Sequence, residues 1–492
     1  MKKQILKAFT MLVLAGGVSG CGENFLETDY YGGVDATTGL NSVTNISTAL
    51  NGVYDRLFRY YFAGNYAITI GDVPTDISYW NSKTNHWNDI YTFTLTDTDL
   101  YLEYIWNYGY KVADNASRVI VGATALYDKC NEDEKAELDL CLAEAYALRG
   151  YAQLLLTNIY GHQVKVDGTD FSSEPGIVVV EQPIEAFAEV SRSTVGKSYE
   201  AVLSDFKKSL QHFTAAGTDR GDLNYFGVAS VNGLLARTCL YLEDWNNAKQ
   251  YAQDALDAAG ISTLTYGMPA YKALYGSAIS NTESMFALAI TSSQNWSANS
   301  CGTLWSTYNF SPSPKLLSLY GENDCRTSVF GYSAESTEAA PVFNGGKFAS
   351  FSSGNPAHGT NYIVNAPEMF LIIAEAELQS PNGVLKNAQD ALLVVAKRNA
   401  DITSVADLPA TPAELLSFLK DERARELFQE GLRLWDLRRW GESADVYAYG
   451  APEIKFSFTN YRISDLVFPI PNSEIVAGFG VEQNDWSKTL PK

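Results

Sequence analysis

The chain has 492 residues, of which 46% are hydrophobic and 19% charged, enough apolar material for a large buried core and too much for a disordered chain. Its 36 basic residues face 57 acidic ones, a net charge of −21, which argues against nucleic acid and against a basic membrane-surface patch, since both need clustered Lys and Arg. Aromatic residues reach 13%, with 30 Tyr and 9 Trp, so aromatic side chains must fill the core, a binding surface, or both.

The first twenty residues read as an address. Lys2, Lys3 and Lys7 form a basic start, and Ile5 to Val18 is mostly apolar but too short to span a bilayer. Val18-Ser19-Gly20-Cys21 then places small residues directly before a cysteine, the pattern of a bacterial lipobox. The expected organisation is a lipoprotein signal peptide over 1–20 and a body over 21–492, lipidated at Cys21. Within the body, 21–260 is expected as an N-terminal helical part, 261–365 as a loop-rich insertion, and 366–492 as a C-terminal helical part and tail.

Five cysteines remain, Cys130, Cys141, Cys239, Cys301 and Cys325, with no CxxC spacing, which speaks against a zinc or redox site. Cys301 and Cys325 flank a loop-rich stretch and are the pair that an oxidising compartment could join.

Apolar residues at helical spacing predict helices over 101–126, 133–160, 199–213, 226–242, 245–259, 366–378, 385–399 and 413–440. Thr411 is placed to cap the last of these, with Pro412 at its first position. In 232–260 the small residues Ala236, Ala248 and Ala255 sit where a tetratricopeptide repeat brings paired helices close, and Ala376 and Ala388 repeat part of the pattern. The repeats are degenerate. The expected fold is therefore mainly α, a tetratricopeptide-like scaffold with long loop-rich insertions. Residues 64–100, 161–196, 261–365 and 441–492 read as those loops, with short strands at Ile177–Val180 and Phe286–Ile290.

The chain carries no Walker A loop, GxGxxG, HExxH or GxSxG. His86, His162, His212 and His358 share no metal-ligand spacing. Asp97, Asp99 and Glu103 offer calcium-type oxygens without EF-hand spacing, and a cluster at a helix start is the simpler reading. The stronger signal is aromatic. Tyr79-Trp80-Asn81 is followed by Trp87, and the long insertion carries Asn295-Trp296, Trp305 and Tyr308. Indole faces stack on the C–H face of a pyranose and Asn amides bond its hydroxyls. Trp80 and Trp296 are thus the expected centre of a sugar platform, with Tyr79, Trp87, Trp305 and Tyr308 as further rings and Asn81 and Asn295 as hydroxyl partners. Packing of the loops onto the helices is the competing use for each ring.

The C-terminal third resembles a known family. Asn361-Tyr362, Pro367-Glu368 running through Ala376, Asp421-Glu422-Arg423-Ala424-Arg425-Glu426 through Gly431, and Arg433 to Trp440 resemble the signatures of the SusD/RagB family of nutrient-binding outer-membrane lipoproteins. Phe468-Pro469-Ile470-Pro471 and Gln483-Asn484 resemble its closing motif, although Asp485-Trp486 departs from the Gly and aromatic found in many relatives. The resemblance implies a non-catalytic, lipid-anchored protein on the outside of the outer membrane. Such a protein captures a glycan and hands it to a SusC-like TonB-dependent transporter. A RagB-like peptide ligand is the alternative, followed by a glycoside hydrolase with an unrecognised carboxylate pair. Residues 422–433 are spaced for ion pairs on a helix surface and are expected to lock helices rather than bind ligand.

Overall fold

The computed structural model describes residues 39–308, 310–442, 446–448 and 466–490. The expected signal peptide over 1–20 and Cys21 lie outside them. Helix α1 (Val43–Phe58) starts at Ser42, whose hydroxyl accepts from Asn45 N. Helix α2 (Leu100–Tyr127) starts at Asp99, which accepts from Leu102 N, and α3 (Glu132–Tyr160) at Asn131 in a reciprocal capping box with Glu134. Then follow α4 (Val195–Ala216), α5 (Val228–Tyr241), α6 (Trp245–Ala259), α7 (Ala366–Gln379), α8 (Leu385–Ala396), α9 (Pro412–Glu426) and α10 (Arg433–Trp440). Gly217 and Gly260 end α4 and α6 in the left-handed conformation.

Each helix from α1 to α9 packs on the next, so the helices form one continuous array. Helix α3 lies at its centre and is buried on all sides from Ala147 to Tyr160. The expected small residues Ala236, Ala248, Ala255, Ala376 and Ala388 are buried where α5, α6, α7 and α8 meet. This is the mainly α, tetratricopeptide-like scaffold read from the sequence. No described helix is long and apolar enough to cross a membrane.

Several expectations need correction. The segment 413–440 is two helices, because Gln429 and Gly431 both take positive φ (70° and 73°) and turn the chain between α9 and α10. A side chain at Gly431 would meet the Ile68 carbonyl oxygen at 2.4 Å. Helix α1 was not anticipated. Residues 64–100 are not simply loop: they contain strand β1 (Ser78–Trp80) and two four-residue helices, Tyr66–Thr69 and Asn88–Tyr91. Phe286 falls in strand β2 (Ser284–Leu288), as expected. Ile177–Val180 is not a strand, because Val178 N donates to the Tyr110 hydroxyl and Val180 N to Gln153 Oε1. Strand β3 (Phe310–Pro312) pairs antiparallel with β1, and β4 (Asn361–Asn365) pairs with β2. The first pairing ties the long insertion to the 64–100 segment, and the second joins the two ends of the insertion beside α5.

The motif residues of 422–433 are not on a helix surface. Arg326 donates to Asp324, Glu422 and Glu426, while Arg398 donates to Glu283 and Glu426. Arg433 forks onto Asp76, and Arg439 onto Glu375. All of these groups are buried. The network joins the insertion, the segment after α1 and the last helices. Helix locking thus holds, but through the interior. The five body cysteines are free thiols; Cys301 packs in the main core and Cys325 in a second cluster around Tyr271 and Tyr362, so the two are not joined. At the proposed calcium cluster, Asp99 is the α2 cap and Glu103 accepts from Ser473 Oγ.

Candidate ligand surface

The expected aromatic platform divides into two groups. Trp80 is 5% exposed and Trp305 1% exposed. Trp80 stands in β1 against Tyr91 and donates Nε1 to the Thr84 carbonyl. Trp305 packs against Phe310 and Phe428. Tyr79 is buried with its hydroxyl on the Ala339 carbonyl, although it also borders a cleft of about 500 Å³ shared with Tyr332 and Leu317. Asn81 is buried and donates to the Pro341 carbonyl. Asn295 spends its amide on its own turn, donating to Thr291 O and Ser292 O and accepting from Ser297 N. As an exposed platform centre Trp80 is therefore corrected: the β1–β3 pairing makes it a core residue.

The second group comes together elsewhere. Trp296 is half-buried and donates Nε1 to the Phe58 carbonyl at the end of α1. Its ring lies 5.0 Å from Phe58 and 5.8 Å from Tyr60. Tyr60 lies 4.0 Å from Tyr61, which lies 4.3 Å from Tyr104 and 4.8 Å from Tyr108 on α2. Below this strip sits Tyr66, buried, with its ring edge-on to Tyr60, Tyr61, Tyr101 and Trp87. Trp87 stacks on Tyr101 at 4.4 Å, the Tyr101 hydroxyl is 3.2 Å from His86 Nδ1, and His86 lies 5.0 Å from Tyr308. Trp296 and Tyr308 are thus the half-buried ends of one connected set of rings, while Trp87, 2% exposed, is a core residue beneath it and is corrected as a platform ring in the same way as Trp80.

Local sequence explains the assembly. Gly64 lets the chain fold back on the end of α1, since a Cβ there would meet Phe58 O at 2.1 Å. Asn65 donates to the Asn299 carbonyl, and Asn361 donates to the carbonyls of Ala63 and Gly64. These bonds hold the turn that carries Tyr60 and Tyr61 against the segment that carries Trp296. Trp87 itself takes φ 61°, a conformation that costs a bulky residue of the order of 1–2 kcal/mol and tends to persist where function requires it.

The electrostatics favour a neutral surface. Burial, followed by hydrogen bonding to Tyr61, raises the Tyr60 phenol above its ordinary value; burial likewise raises Tyr66 and Tyr101. These phenols stay protonated and act as both donors and acceptors. The cations at either end are subdued, since Arg59 lies over Trp296 but pairs with Asp55, and Lys111 lies over the Tyr108 ring at 4.6 Å. Apolar ring surface edged by neutral hydroxyls can hold a polyhydroxylated ligand. Tyr60, Tyr61, Tyr101, Tyr104 and Tyr108 were missed in the sequence. Tyr101, Tyr104 and Tyr108 recur at helical spacing and read as core face, yet the choice of Tyr over Leu is the mark of a face that meets water.

A family model described as the SusD family matches residues 347–486, and one described as starch-binding associating with outer membrane matches residues 24–219. No curated protein matches the chain. Among solved structures, a SusD superfamily protein from Bacteroides thetaiotaomicron superposes with a TM-score of 0.78 at 22% identity, over 90% of this chain and 99% of its own. A putative sugar binding protein from Bacteroides vulgatus gives 0.78 at 23%, over 91% and 99%. A SusD-like carbohydrate binding protein from the same species gives 0.73 at 19%, over 92% and 98%. At these identities the likeness establishes the fold.

Proposed function

The chain belongs to the SusD/RagB family, and from that premise we propose that it is a carbohydrate-binding lipoprotein of the outer membrane. It captures an oligosaccharide at the cell surface and passes it to a SusC-like TonB-dependent transporter. The single observation that carries the ligand class is the strip of half-buried rings from Trp296 through Tyr60 and Tyr61 to Tyr104 and Tyr108. Half-buried tyrosines offer ring faces and edges together with neutral hydroxyls, the complement of a sugar that is apolar on its C–H face and polar at its rim. The names of the family models and of the structural relatives support the same class. The chemistry is binding without bond cleavage, and release to a transporter suits a Kd in the micromolar-to-millimolar range, about −4 to −8 kcal/mol.

Affinity electrophoresis of the soluble protein through gels containing starch, xylan, mannan, galactan, β-glucan, polygalacturonate or casein tests the reading. Retardation by a polysaccharide and not by casein is expected. Retardation by casein alone transfers the protein to peptide uptake. Incubation with the retarding polysaccharide is expected to release no reducing ends above a buffer control; release abolished by a single carboxylate substitution would make the protein a hydrolase.

Anchoring is proposed to run through Cys21, which follows Val18-Ser19-Gly20. Cys21→Ala is expected to move the protein from the membrane fraction to the soluble fraction with its melting temperature unchanged. Retention of that variant in membranes of cells lacking the neighbouring transporter would refute the lipid anchor.

A further inference from the structure

A groove of about 380 Å³ lies beyond the far end of the aromatic strip, between α2 and two outer segments. Trp106 and Tyr110 of α2 line it, and so do Phe187 and Phe479, whose rings pack together at 6.1 Å where Val190 N donates to the Phe479 carbonyl. Lys111 connects the two regions, since it lies over Tyr108 of the strip and also lines the groove. Tyr104, Tyr108, Lys111 and Asn115 follow one another on one helical face at i, i+4, i+7 and i+11. At the rise of an α-helix, Tyr104 and Asn115 are separated by about 16 Å along the axis.

Three features of the groove point to a ligand. Phe187 is 85% exposed and takes φ 61°, so a large apolar ring is held in water on a strained backbone. The side chains of Asn107 and Asn115, which line the groove, make no hydrogen bond among the described residues, unlike those of Asn81 and Asn295. The wall charges are mostly acidic: Glu185, Glu474 held by Trp106 Nε1, and Asp114 held by Ile184 N and Arg118 Nε, against the Lys111 ammonium. Rings with open amides suit sugar, and an excess of carboxylates repels an anionic one.

We propose that a neutral oligosaccharide seated on the tyrosine strip continues along α2 into this groove, where Phe187 and the amides of Asn107 and Asn115 hold its far end. The inference rests on the carbohydrate reading above. It makes the ligand an extended chain, bound at two connected regions rather than at one sugar-sized spot. Each added contact strengthens binding because the second region is reached without a second encounter.

Calorimetry with size-fractionated oligomers of whichever polysaccharide retards the protein is the test, on wild type, Phe187→Gly, Asn107→Ala and Asn115→Ala. In wild type, short oligomers should bind the strip and long ones about tenfold more tightly, as one or two ring and amide contacts supply. In Phe187→Gly and in the Asn107→Ala/Asn115→Ala double variant the long oligomers should fall to the affinity of the short ones, whose own binding is unchanged. Glycine accepts positive φ, so Phe187→Gly should keep or raise the melting temperature; a structural role for the ring would lower it. If short oligomers bind but length adds nothing in wild type, or if the gain survives in both variants, the groove is not a subsite and the carbohydrate reading stands. If only polygalacturonate binds, the neutral-chain assignment is overturned. If no polysaccharide binds, the carbohydrate reading and this extension both fall.

Discussion

Arg326→Leu is expected to lower the stability of the protein by about 3–5 kcal/mol, the penalty for removing one partner from a buried ion-pair network. Arg326 is buried and is the cation shared by Asp324, Glu422 and Glu426, with N–O distances of 2.7, 2.6 and 3.0 Å. Leucine in its place leaves those carboxylates in the interior with less charge against them. Arg425 still serves Glu422 and Arg398 still serves Glu426, so the loss falls hardest on Asp324. The charge balance also fixes the acid behaviour. Despite burial, the guanidinium groups of Arg326 and Arg425 hold Glu422 down to about 2. Its folded pKa lies below the unfolded value of about 4.3, so its contribution is present above pH 4.3 and is lost as pH falls toward 2. Asp72 acts in the opposite sense. Burial lifts its carboxyl to about 7, although Gly431 N and Arg433 N both donate to it. Its ionisation therefore costs stability as pH rises from about 4 to 7. Urea midpoints measured from pH 3 to pH 8 should pass through a maximum on the acid side of neutrality and fall steeply below pH 4. In Arg326→Leu the whole curve should drop and the steep acid limb should soften. A midpoint for Arg326→Leu within error of wild type at pH 7 would show that the network does not lock the helices.

How much of this was legible in the sequence depends on the kind of order each residue reports. Helices α2 to α8 were readable because their apolar residues repeat at the helical period over ten or more positions; α6 was placed at Trp245–Ala259 to the residue. The break between α9 and α10 was not, because Gly431 is needed only where the Ile68 carbonyl approaches, a contact across more than 350 residues of sequence. The ion-pair motif was readable as charge spacing. Its burial was not, because Asp76, Glu283 and Asp324 arrive from distant segments. The same limit divides the aromatic residues. Turn-rich flanks made Trp80 and Trp296 look alike, and only the pairing of Trp80 with Phe310 across β1 and β3 puts one inside. Tyr60 and Tyr61 carry no periodic signal at all, since they lie just past the end of α1.

Trp80→Ala and Trp296→Ala should consequently separate structure from binding. Trp80 is a large side chain in the core, packed on Tyr91 with its indole N–H satisfied by Thr84 O. Truncation removes that packing and leaves a cavity, and the expected destabilisation is about 3–5 kcal/mol. Glycan affinity of the Trp80→Ala molecules that remain folded should be near that of wild type. Trp296 is half-buried at the edge of the strip and touches Phe58 and Tyr60. Its truncation should cost about 1–2 kcal/mol of stability through partial burial and the lost bond to Phe58 O. It should weaken binding of the retarding polysaccharide about tenfold, a change of about 1.4 kcal/mol. Tyr61 refines the comparison, because its ring is the junction between Tyr60, Tyr104 and Tyr108. Tyr61→Phe keeps that junction and removes only the hydroxyl. Wild-type affinity in Tyr61→Phe with a loss in Tyr61→Ala assigns the effect to ring surface; equal losses in both assign it to the hydroxyl. Thermal unfolding and calorimetry on the same preparations decide the matter. Normal binding by the folded molecules of both Trp296→Ala and Tyr61→Ala would remove the strip from the ligand site and leave the cleft beside Tyr79 and Tyr332 as the place to look.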